Sequence, residues 1–190
     1  MNMKQWYSGS GLWALFLACV FPVHLWTLIL GMNDFQWISE RTNSWDAVGV
    51  MAYGLAFALF ESLVVWAAAV LAGFLISTKW DVARRVAVMG TLVFVLAGWA
   101  MYEQAHFVWG LQLPQSIVAL AQSTGHPVRI MLAFYLIPVG LSVLAPTYFL
   151  LRGAQLLQFT RAAFERLAIL SGFYLLLDVV SIAIIVSRNV

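Results

Sequence analysis

Residues 47–77 read AVGVMAYGLAFALFESLVVWAAAVLAGFLIS, thirty-one positions that carry a single charge, Glu61. About 20 apolar residues, rising 1.5 Å each, cross a hydrocarbon layer ~30 Å thick. A run of this length predicts a helix that spans a membrane. Four further runs, with approximate cores at 11–31, 86–108, 129–151 and 164–187, reach the same length. The sequence therefore predicts an all-α integral membrane protein, one bundle of five transmembrane helices over 1–190, with short interfacial helices in its two outer loops.

Composition agrees. Of 190 residues, 63% are hydrophobic and 9% are charged, and mean hydropathy is +0.90, against about 25% charged in globular proteins. The longest stretches between spans, 32–46 and 109–128, are too short for a core of their own. Net charge is +2, with no basic cluster dense enough for nucleic acid or a polybasic lipid switch. The lone Cys19 excludes an intrachain disulfide and a thiolate metal cluster. Lys4 precedes an apolar stretch longer than the ~7–15 residues of a signal-peptide core, without a small-x-small cleavage site, so the first run is expected to be a retained span.

The ten basic residues alternate from side to side. Lys4, Lys79, Arg84, Arg85, Arg152, Arg161 and Arg166 fall on one side, and Arg41, Arg129 and Arg188 on the other. The positive-inside rule then places the N-terminus in the cytoplasm and the C-terminus outside. Trp6, Trp13, Trp37, Trp45, Trp80 and Trp109 lie near the expected interfaces, where an indole acts as an anchor. In the first outer loop, 33–46, Asn33 or Asp34 is read as the cap of a short helix presenting Phe35, Ile38 and Thr42. In the second, 114–122, Pro114 suits a helix start and Ile117, Val118 and Ala121 form an apolar edge. Residues 152–166 read as a helical elbow on the cytoplasmic side.

Polar groups inside the runs carry the functional reading. Glu61 shares a helix face with Gly54, Ala58, Val65, Ala68 and Ala72, and this small-residue face predicts that its carboxyl points into the bundle. Asp178 shares a face with Ser171, Tyr174, Ser181 and Ile182. His24 lies just past Pro22, with Thr27 one turn on. The three ionisable groups fall at similar depths and are expected to meet, either pinning helices together or binding protons or a ligand. Pro138 and Pro146, with Ser142 between them, are expected to kink the fourth span, as Pro22 kinks the first.

Glu103 and His106, three apart at the outer end of the third span, have the spacing of one half of a carboxylate-bridged metal site. His126 and Arg129 are expected in the same outer layer, with Asp46 nearby. Glu103, His106 and His126, or His24 in place of the last, are thus the candidate metal or haem ligands. No cofactor is indicated. Only His24 is deep in a span, which disfavours bis-histidine haem, while seven Met residues leave His–Met ligation open. No Gly-x-Ser-x-Gly, Walker or His-Glu-x-x-His motif occurs.

The leading expectation is a non-catalytic accessory or scaffold subunit of a larger membrane complex, partnered by the bilayer and by other membrane subunits or copies of itself. A second is a proton-coupled carrier, or a module for a small lipophilic ligand, built on Glu61, Asp178 and His24. A third is a membrane redox or metal subunit.

Overall fold

The computed structural model describes residues 7–76, 80–110 and 112–190. Lys4, Trp6 and Lys79, which contribute to the charge and anchor readings, lie outside them. The described residues form six helices: α1 Gly9–Arg41, α2 Ser44–Gly73, α3 Val82–Trp109, α4 Gln115–Ser123, α5 Pro127–Arg152 and α6 Ala154–Asn189. All but α4 are long and apolar enough to cross a membrane.

Local chemistry sets the helix ends. The side chains of Ser8, Asn43 and Asp81 accept the backbone N–H groups of Gly11, Asp46 and Arg84 and so cap α1, α2 and α3. Gly110, at φ 61°, ends α3 in the left-handed region that glycine tolerates. Proline opens α5 at its first position. α4 begins after Pro114, close to its expected place.

The first outer loop departs from expectation. Asn33 and Asp34 cap no new helix, because α1 runs unbroken to Arg41. Nothing between Met32 and Arg41 is a Gly or Pro. Pairs four apart hold the turns instead: Gln36 donates to Glu40 at 2.8 Å, and the Arg41 guanidinium lies 3.9 Å from the Trp37 ring centre. The expected elbow at 152–166 contracts to one residue, Gly153, between α5 and a continuous α6.

α1 is central and packs on α2, α3 and α6. Ser171 pairs with Leu17 and Asp178 with His24, both across 154 residues, so α1 and α6 run parallel in register. α2 runs against them: the Trp66 indole donates to the Leu12 carbonyl, and Arg188 meets Asp46. The end of the bundle holding Ser8 is here the near end, and the end holding Arg188 the far end. At the near end a Cβ on Gly90 would lie 2.5 Å from the Phe164 ring, so glycine permits the close approach of α3 and α6. α5 leans mainly on α3 and α4, and Leu150 is its one buried residue. Pro22, Pro138 and Pro146 all lie within unbroken helices.

Candidate functional site

α6 has three buried residues, and all are polar: Ser171, Asp178 and Ser181. They recur at seven and three residues and form the inner stripe of a helix whose outer surface is Ile169, Phe173, Leu176, Val179 and Val186. This polarity is the reverse of a helix on a water-soluble core. Of the face expected around Asp178, Ser171 and Ser181 are buried, Tyr174 is partly buried and Ile182 is exposed.

Opposite it stands His24. Its Nε2 lies 3.0 Å from each Asp178 carboxyl oxygen, and its Nδ1 lies 2.9 Å from the Val20 carbonyl. A carbonyl oxygen only accepts, so Nδ1 carries a proton. One further proton then serves the contact between Nε2 and the carboxyl. His24 is fully buried and Asp178 is 1% exposed. The Tyr174 ring stacks on the imidazole at 5.8 Å with an interplanar angle of 8°. Ser171 donates to the Leu17 carbonyl at 2.8 Å, two turns below, and ties the same two helices again.

Glu61 does not join them. The buried face of α2 is Ala52, Leu55, Ala58, Ser62 and Ala69, and Glu61 is exposed on the outside. Its neighbour Ser62 takes the inward place and donates to the Ala58 carbonyl at 2.7 Å. Small residues encircle α2, so they single out no face; the bulky Phe57, Phe60 and Val64 mark the exposed one. Depth differs as well. Thr27 lies against Gly54 and Leu12 against Trp66, which sets His24 level with about residue 56 of α2. Glu61 is five positions further on, or roughly 7 Å at 1.5 Å per residue. Among the described residues it has no hydrogen-bond or ion-pair partner.

The outer metal layer does not assemble either. Glu103 and His106 line a cleft of about 750 Å³ at the far end with Gln112, Gln115, Gln122 and Tyr135. His126 is exposed at the start of α5 and is not among the lining residues. Among the described residues no three His, Cys, Asp or Glu side chains gather closely enough to hold a metal.

Two sets of polar contacts differ from or add to the sequence expectation. Asp46, expected near Glu103, instead accepts from Arg188 at 2.6 Å, and the Arg188 guanidinium sits over the Trp45 ring at 5.5 Å. Gly49 makes room, since a Cβ there would lie 2.7 Å from that guanidinium. The second concerns the three tryptophans outside the anchor set. Trp26 donates to Gln104, Trp66 to Leu12 and Trp99 to Ser142, each joining two helices. Their mid-span positions were the available signal, because a buried indole N–H seeks an acceptor.

No protein-family model, curated protein or solved structure matches the chain.

Proposed function

We propose that the five long helices span a bilayer, with the near end cytoplasmic, and that the chain is a non-catalytic subunit of a larger membrane assembly. The reversed polarity of α6 supports insertion, since its polar groups are buried and its aliphatic ones exposed. The excess of Arg at the near end supports the orientation.

One observation carries the subunit reading: the carboxyl of Glu61, without a partner among the described residues, stands on the outer surface halfway along an apolar helix. Apolar side chains there are equally content with lipid or with protein. An ionised group at the centre of a span is not, and leaving it in lipid costs about 2.5–3.5 kcal/mol on insertion scales. A neighbouring subunit removes that cost. The carrier reading places Glu61, His24 and Asp178 around one pocket; here His24 and Asp178 meet and Glu61 faces outward.

Extraction of the protein from its native membranes in a mild detergent tests the proposal. The expected particle contains other polypeptides in fixed ratio. A lone 21.2 kDa chain would overturn it.

A further inference from the structure

Phe57, Glu61, Val64, Ala68 and Leu71 are all exposed, and they follow one another at spacings of four, three, four and three. That is the heptad spacing of a seam that packs against another helix at a shallow left-handed angle. Among the described residues no helix lies on it: α2 meets its own neighbours through the opposite face, at Ala52, Leu55, Ser62 and Ala69. The seam is apolar except at its second position, where Glu61 stands.

We infer that this seam receives one transmembrane helix of a different polypeptide, and that the incoming helix presents a basic side chain at the depth of Glu61. The inference rests on the subunit reading and names the partner's chemistry. A second copy of this chain does not supply it. Among the described residues, Arg41, Arg84, Arg85, Arg129, Arg152 and Arg188 lie at or near the ends of their helices, Arg161 and Arg166 lie five or more residues nearer the near end than Ser171, and the deep His24 is buried and held by Asp178. A copy docking by the same seam would bring only another carboxyl. A Lys, Arg or His of another subunit neutralises Glu61 and satisfies its oxygens, as paired intramembrane charges do. Ala68, two turns nearer the near end, lets the incoming backbone approach closely.

The test compares assemblies extracted from native membranes by wild-type, Glu61→Leu and Glu61→Lys chains. Glu61 has no partner among the described residues, so Glu61→Leu is expected to match or exceed wild type in thermal unfolding of the isolated subunit. Its recovery of the partner is expected to fall about tenfold or more, because a buried basic group is left unpaired. Glu61→Lys is expected to recover none, and a Glu in place of the partner's basic residue is expected to restore it. Ala68→Trp blocks the seam and leaves the charge intact, and should also release the partner. If Glu61→Leu retains the partner in wild-type amount, the inference fails and the subunit reading stands. An assembly made only of copies of this chain, or a partner without a basic residue in its span, overturns it. A wild-type monomer overturns both.

Discussion

His24 and Asp178 show what a single buried contact does in a helix pair that lacks other polar ties at that level. Each side chain is enclosed, so removing one leaves the other unpaired in an apolar interior, a loss of about 3–5 kcal/mol where such pairs have been broken. Asp178→Ala is therefore expected to be severely destabilised in denaturant or thermal unfolding in micelles. Asp178→Asn should lose less. With Nδ1–H held by the Val20 carbonyl, a neutral His24 keeps an Nε2 lone pair, and the Asn amide can donate to it. An Asp178→Ala chain as stable as wild type would refute this account of the pair. The contact was legible beforehand because each residue interrupts an apolar run at a comparable depth, and because Ser171 and Ser181 already marked the inward face of α6. The outward place of Glu61 has a related physical reason. Small neighbours predict burial only where they mark one face, and α2 carries Ala or Gly on most of its circumference, so its bulky residues are the better guide.

Among the elements, five helices could be drawn directly from hydropathy, whereas their ends and mutual faces depended on contacts between distant residues. The length of α1 illustrates this. Polar residues after Met32 suggested a loop, but polarity does not end a helix unless Gly, Pro or a competing cap does. Close approach is likewise a property of pairs. Gly90 is compatible with any helix face until Phe164 is known to lie against it. Gly90→Leu should force α3 from α6 and cost about 1–3 kcal/mol, as overpacked cores do, read as a lowered unfolding midpoint. The near end of α1 supplies a pH test. Burial raises the pKa of Tyr7 above its ordinary 10, and the Arg85 charge opposes the rise. The fold therefore favours the neutral phenol. That contribution is complete below pH 10 and is lost as pH climbs toward the raised folded value. Tyr7→Phe is expected to flatten the alkaline fall in stability, and an unchanged alkaline limb would exclude Tyr7 as its source.

For the whole molecule, charge distribution and packing together give the proposed orientation its force. Arg84, Arg85, Arg152, Arg161 and Arg166 collect at the near end, where Arg161 and Ser8 line one groove. At the far end Arg188 is paired with Asp46 and Arg41 lies on Trp37. With Arg129 the far end holds three arginines against five at the near end, and the positive-inside rule counts such residues whether or not they are paired. The parallel register of α1 and α6 then fixes the rest, because a chain that enters with α1 leaves with α6 in the same direction. Site-directed labelling reads this directly. Cys19 is fully buried and is the only cysteine, so a Cys19→Ala background suits single new thiols at Ser116, at the start of α4, and at Gln158, near the start of α6. A membrane-impermeant maleimide added to sealed right-side-out vesicles should label Ser116→Cys at once and Gln158→Cys only after permeabilisation. The opposite pattern would place the near end outside, and simultaneous labelling of both would remove the case for a spanning bundle.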